Sequence, residues 1–315
     1  MNTIVYSAYN AAPARLSDDF EAEEQWYSRL RSEPRIGGLE LPVLDGRLHP
    51  RGLARLAGLL DPGWSNTVSA MSMTLSASRD DPLYGLASRD PAGRRRALDD
   101  ISSAHAETLQ LREQLGPSSI RAFVLQSSPR ADRSSLWAFT ESLREIAGWD
   151  WANIELLIEH TDALIGRQPA QKGYLGLEEE IEAVQSASGY GPGRIRHLIN
   201  WGRSAIEGRN ARTPSEHVAK LGDGLGAFAF SGAAPTATNR SAEWEDAHLG
   251  LAADEPASLL DADGVRELLR QLPDGLNYIG VKTGAPKGSA GADRLRLGLA
   301  LLDLLPLDHP APVIN

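Results

Sequence analysis

The 315-residue chain contains no cysteine. That excludes disulfides, thiolate metal ligands and cysteine nucleophiles together, and it suits a cytoplasmic protein. Positive charge is also scarce: 32 Lys and Arg stand against 42 Asp and Glu, for a formal net charge of -10. Non-specific nucleic-acid binding needs clustered cations to displace counterions, so no nucleic-acid partner is expected. The one basic run, Arg94-Arg95-Arg96, is followed by Asp99 and Asp100 and reads as a solvated helix face. No stretch approaches the roughly 20 apolar residues that span a bilayer. The opening Met1-Asn2-Thr3-Ile4-Val5-Tyr6 has neither the basic nor the long apolar segment of a signal peptide. No membrane partner is expected either. Aromatic residues are modest in number, with seven Trp, seven Tyr and five Phe. Several fall near proposed strand ends, where sugar sites use them, although core packing is the commoner role. A glycine-rich phosphate loop is missing too: the first apolar run ends in Asn10-Ala11-Ala12-Pro13, which counts against a doubly wound nucleotide-binding sheet.

What the chain does have is alternation. Eight short apolar runs are each followed by a helical segment. The runs are Thr3–Tyr9, Ile36–Pro42, Asn66–Ala77, Ile120–Gln126, Ile154–Glu159, Ile195–Asn200, Gly226–Phe230 and Asn277–Val281. Ser17 is read as the N-cap of the first helix, ahead of Asp18, Asp19 and Glu21. Helices are further expected over Arg51–Leu60, Ala92–Leu115, Ser134–Ala147, Leu177–Ala187, Pro214–Leu221 (capped by Thr213), Asp263–Leu272 and Asp293–Leu304. Parallel strands need crossover helices, and eight such units in about 300 residues predict one α/β domain over 1-315, a closed (β/α)8 TIM barrel. Long loops are expected after the third and seventh runs, on the face where such barrels carry function.

Short motifs add a resemblance. Gly37-Gly38-Leu39-Glu40-Leu41-Pro42 resembles the second strand of xylose-isomerase-like sugar isomerases and epimerases, and Leu156-Leu157-Ile158-Glu159-His160-Thr161 resembles their fifth. Val124-Leu125-Gln126-Ser127-Ser128-Pro129 sits where they carry a substrate loop, and Phe139-Thr140-Glu141-Ser142-Leu143 is similar to the helix after it. Within that superfamily the chain is most similar to an actinobacterial group, the domain of unknown function 4862. The resemblance implies a small carbohydrate-like substrate, a homo-oligomer, and a divalent metal on four ligands. These are a glutamate ending strand five, an aspartate ending strand six, a histidine ending strand seven and a glutamate ending strand eight. Glu159 matches the first; the others read Asn200-Trp201-Gly202, Phe230-Ser231-Gly232 and Lys282-Thr283-Gly284. An amide and a lysine ammonium in such a place disfavour a divalent ion. No metal cofactor is therefore expected, with Glu159 the one position that still offers the family's ligand.

The candidate catalytic residues are Glu159, Glu40 and Lys282. A carboxylate closing an apolar strand is expected to be partly desolvated, raising its pKa towards general-base range. Glu40 ends its strand alike and is the partner acid or base, against an alternative role as a supporting hydrogen-bond acceptor. Lys282 stands in for the cation, stabilising an anionic oxygen. His160 follows Glu159 directly, so it reaches the same pocket only if the strand ends there; otherwise it packs beneath a helix. Asn200, Trp201 and Arg203 offer an amide, an aromatic plane and a guanidinium to a sugar or sugar acid. His248, with Asp246, forms an Asp-x-His pair in the loop after run seven. Tyr6, Asn10 and Gln126 complete the expected pocket lining. Three functions follow: isomerisation or epimerisation by proton transfer beside a carbonyl, metal-independent hydrolysis or elimination on a sugar derivative, and non-catalytic sugar binding.

Overall fold

The computed structural model describes residues 3–306. Met1 and Asn2 of the expected leader-free start, and residues 307–315 of the expected domain, lie outside the described residues. Eight parallel strands close into a barrel in chain order. They are β1 (Thr3–Tyr6), β2 (Gly38–Pro42), β3 (Asn66–Ser69), β4 (Ile120–Leu125), β5 (Glu155–His160), β6 (Ile195–Asn200), β7 (Leu225–Phe230) and β8 (Tyr278–Val281). Ten α-helices among the described residues surround them: α1 (Phe20–Arg31), α2 (Leu53–Leu59), α3 (Met71–Asp80), α4 (Pro91–Leu115), α5 (Leu136–Ala147), α6 (Leu177–Ala187), α7 (Trp201–Gly208), α8 (Thr213–Leu221), α9 (Ala262–Gln271) and α10 (Arg296–Leu302). The expected (β/α)8 TIM barrel is present. No helix among the described residues is long and apolar enough to cross a membrane.

Strand residues alternate between the barrel interior and the helix-facing side. Val5, Ala122, Val124, Leu157, Leu198, Ala227, Ala229 and Tyr278 pack together inside. Their neighbours Ile4, Tyr6, Leu125, Ile158, Ile199, Phe228 and Ile279 join the larger cluster shared with the helices. The N-terminal end of the barrel is plugged. Arg196 grips Glu155 through two bonds of 2.5 and 2.9 Å, and Asn277 Nδ2 donates to the same carboxylate at 2.8 Å. The C-terminal ends of the strands form the opposite mouth.

Several expected boundaries move. The third run is a strand only to Ser69; from Met71 it turns helical as α3, because Met, Leu and Ala favour helix once the β-branched Val68 is passed. The loop through Pro82 thus joins two helices rather than following a strand. The N-cap of α1 is Asp19, not Ser17: its side chain accepts from the backbone N–H groups of Glu21 and Ala22. Thr213 lies inside α8 rather than capping it, and Asp261 caps α9 through Gly264. The last helix divides into a 3-10 turn over Gly291–Leu295 and α10. The basic run is a solvated face of α4, as expected, with Arg95 2.9 Å from both Asp99 and Glu145.

Candidate active site

The interior alternation ends in a polar ring. Ser7 extends β1, its N–H donating to Val281 at 2.8 Å, and Lys282 extends β8, its N–H donating to Phe230 at 2.9 Å. At this level Ser7, Glu40, Ser69, Gln126, Glu159, Asn200, Ser231 and Lys282 face inward, one from each strand in turn. Below them lie Val124, Leu157, Leu198 and Ala229.

Charges of alternating sign run across this ring. Lys282 Nζ lies 2.9 Å from Glu40 Oε1 and 3.3 Å from Glu159 Oε1. Arg203, in the first turn of α7, reaches the same Glu159 oxygen with NH1 at 2.6 Å and Asp246 with Nε at 3.1 Å. Asp246 also holds Lys172 Nζ at 2.6 Å and faces His248 Nδ1 at 3.3 Å. Tyr9 Oη donates to Glu40 Oε1 at 3.2 Å, and Ser7 Oγ donates to Oε2. Three carboxylates thus alternate with three cations. Little water reaches them: Glu159 is fully covered, and Lys282 and Arg203 keep only 2 % of their side-chain surface.

The two cations reverse one expectation. Burial alone pushes the Glu159 carboxyl up, but Arg203 and Lys282 outweigh it and hold it at about 2. Glu159 is therefore a fixed anion rather than a poised base. Burial pushes the Lys282 ammonium down, yet Glu159 and Glu40 raise it well above its ordinary value. His248 goes the other way: burial dominates and lowers it to about 3, so its imidazole is neutral at ordinary pH.

Of the residues expected from sequence, Glu40, Glu159, Lys282, Arg203 and His248 meet in this network. Gln126 and Asn200 belong to the ring beside it. Asn200 also caps α7: its Oδ1 accepts from the Arg203 N–H at 3.3 Å and from Ser231 Oγ at 2.7 Å. That cap aims Arg203 back at Glu159. Three expected residues do not reach the mouth, because each is one position off the inward alternation. Tyr6 packs outward against α10, where a Cβ on Gly298 would collide with its hydroxyl. His160 points into the helix layer, bonded to Glu180 and Glu207. Trp201 lies among α8 and α9 residues. Asn10 turns back on itself, its Nδ2 3.5 Å from the Ser7 carbonyl. Sequence reading missed Ser7, Tyr9 and Lys172. The first two sit in the loop directly after β1, where parity with Val5 marks Ser7. Lys172 lies in a polar loop without any motif.

Two features show what the mouth lacks and where it opens. Among the described residues, Gln126 Nε2, Glu159 Oε2 and Asn200 Nδ2 are buried and find no hydrogen-bond partner. A cavity of about 290 Å³ reaches Glu40 and Tyr9 from the side, walled by Trp26, Tyr27, Leu44, Leu48 and His49. That volume is at the lower end of small-molecule pockets.

The family profile described as Domain of unknown function (DUF4862) matches residues 5–297. The chain belongs to that family. This DUF4862 chain is also 32% identical over 285 residues to "Uncharacterized protein STM3670" of Salmonella typhimurium strain LT2, covering 88% of each chain. Its fold is similar to that of a D-tagatose 3-epimerase-like protein, with a TM-score of 0.62 at 17% identity over 96% of this chain and 97% of the other. A putative xylose isomerase from Rhodospirillum rubrum gives a TM-score of 0.65 at 11% identity, over 96% and 98%. The barrel fold is thus similar to that of those two proteins. At the four positions where the resemblance implies metal ligands, this DUF4862 chain presents Glu159, Asn200, Ser231 and Lys282. Two of those groups carry no charge, one is a cation, and the remaining carboxylate already faces two cations within 3.3 Å. A hard divalent ion takes several anionic oxygens, so this donor set does not fit it.

Proposed function

We propose that the protein isomerises or epimerises a small carbohydrate or polyol by proton transfer beside a carbonyl, with fixed side-chain cations in place of a divalent ion. One observation carries the reading. On three adjacent strands beside Lys282, Gln126 Nε2, Glu159 Oε2 and Asn200 Nδ2 find no partner among the described residues. A donor, an acceptor and a donor in a row answer the hydroxyls of a sugar, and buried polar atoms left unpaired cost stability until a ligand takes them. Lys282 supplies the charge that a developing enediolate oxygen needs. Glu40, on the cavity wall, takes the proton, with Tyr9 and Ser7 orienting its carboxylate. Glu159 accepts a substrate hydroxyl and positions both cations.

The test is hydrogen exchange. The protein is incubated with a panel of aldoses and ketoses in D2O with a chelator present. Deuterium is expected on the carbon beside the carbonyl, with the rate falling about 10²–10³-fold in Glu40→Gln and Lys282→Gln. No exchange on any sugar overturns the reading.

Hydrolysis by paired carboxylates is the second reading. Glu40 Oε1 and Glu159 Oε1 both touch one ammonium, so these two oxygens lie at most about 6.2 Å apart, which admits the about 5–5.5 Å of retaining glycosidases and falls short of the inverting range. It predicts cleavage of aryl glycosides rather than exchange.

A further inference from the structure

A second charged cluster lies outside the barrel, between its wall and three helices. His160 at the end of β5, Glu180 on α6, Glu207 on α7 and His217 on α8 meet there. The two imidazoles approach one carboxylate from either side: His160 Nε2 is 2.9 Å from one oxygen of Glu207, and His217 Nε2 is 3.3 Å from the other. Each ring is held by its remaining nitrogen. His160 Nδ1 lies 2.7 Å from Glu180, and His217 Nδ1 lies 2.9 Å from Ser204 Oγ. Glu180 in turn accepts from Ser127 Oγ.

A plain ion pair needs one imidazole and one carboxylate. Here two Nε2 atoms converge on a third side chain while other groups orient both Nδ1 atoms. That is how proteins hold metal-binding histidines, the outer partner fixing tautomer and ring orientation. The spacing agrees. One donor atom from each of His160, Glu207 and His217 lies within 4.8 Å of the others, and a tetrahedral zinc with bonds of 2.0–2.1 Å sets its donors about 3.3 Å apart. Charge agrees as well. Glu180 and Glu207 bring two anions into a buried place. A divalent ion offsets both, and any Nε2 proton it displaces leaves to solvent. Glu207 and His217 keep 9 % and 10 % of their side-chain surface exposed, which gives an ion a way in without opening the barrel.

We propose that His160, Glu207 and His217 form a transition-metal site of the zinc type, tying the end of β5 to α7 and α8. Imidazole nitrogens with one carboxylate favour zinc and its neighbours over magnesium or calcium. The site lies behind the wall that carries Glu159 and is separate from the barrel mouth, so it stands whether or not the proposed sugar chemistry does.

The full chain, stripped with a chelator and dialysed, is titrated with Co²⁺, whose tetrahedral complexes absorb visible light. One Co²⁺ per chain is expected, displaced by one equivalent of Zn²⁺, with a rise in Tm on loading. His217→Gln should abolish the band, whereas Glu159→Gln at the mouth should keep it. A folded wild-type chain that gives no saturable band overturns the site, as does a band that survives His217→Gln. Should His217→Gln fail to fold by circular dichroism, Glu207→Gln replaces it, and the wild-type titration decides on its own.

Discussion

Arg203 NH1 stands 2.6 Å from Glu159 Oε1, with almost no solvent on either side chain. Such a pair gains little over an apolar contact of the same shape, because both charges first lose their water. Its cost shows when one partner is removed. Glu159→Ala leaves Arg203 and Lys282 buried with one counter-charge fewer, and it should destabilise the fold by about 3–5 kcal/mol. Glu159→Gln keeps an acceptor and should cost less. Urea denaturation midpoints measure both. An alanine variant within about 1 kcal/mol of wild type would mean that water reaches the two cations freely.

The same contacts make the fold acid-sensitive. Glu159 sits at about 2 in the folded chain against an ordinary 4.5. A carboxylate whose folded value is depressed contributes stability that is fully present above its unfolded value and is lost as pH falls. For Glu159 the window runs from about 4.5 down to about 2, and the contribution lost across it is about 3 kcal/mol. Tryptophan fluorescence through acid unfolding should show wild type losing that much more than Glu159→Gln. Parallel acid curves for the two would contradict it.

Much of the site was readable from period two alone. In Glu155-Leu156-Leu157-Ile158-Glu159-His160 the apolar Leu157 points inward, so Glu159 does too and His160 does not. The same count admits Glu40, Gln126, Asn200 and Lys282 and rejects Tyr6 and Trp201. What the chain order hides is the pairing. Glu40 and Lys282 are 242 positions apart and meet only when the barrel closes. The helix α3 was hidden for a different reason: Met71–Leu75 continues the apolar character of β3, and periodicity over so few residues does not separate the two states. Lys172 carries no local signal at all.

Gly202 should be intolerant of any side chain. A Cβ there would lie 2.7 Å from Ser231 Oγ, 3.0 Å from the Ser231 carbonyl and 3.2 Å from the Gly232 carbonyl. Two of those atoms are backbone at the end of β7 and cannot step aside. Gly202→Ala should therefore push the first turn of α7 away from the barrel, at a cost of about 1–3 kcal/mol. Arg203 moves with that turn, so its grip on Glu159 should loosen as well. A thermal melt checks the first effect. A pKa of Glu159 shifted upward in an NMR titration checks the second; an unchanged melting point would show that the strand end yields.

The misfit to a divalent ion is itself testable by reversing it. Asn200, Ser231 and Lys282 occupy the inward ring positions at the ends of β6, β7 and β8. Replacing them by the residues the resemblance implies gives the triple variant Asn200→Asp, Ser231→His, Lys282→Glu. Without an ion this variant crowds Glu40, Glu159 and two new carboxylates around Arg203, so like charges should destabilise it strongly. A divalent ion that binds only the folded state restores stability by RT ln(1 + [L]/Kd), about 2.7 kcal/mol at a hundredfold excess over Kd. The variant should thus melt well below wild type in chelator and recover in millimolar Mn²⁺. At the barrel mouth wild type should respond to Mn²⁺ very little. If the variant gains nothing from Mn²⁺, the ring geometry, and not only its charge, has departed from that of the metal-binding barrels.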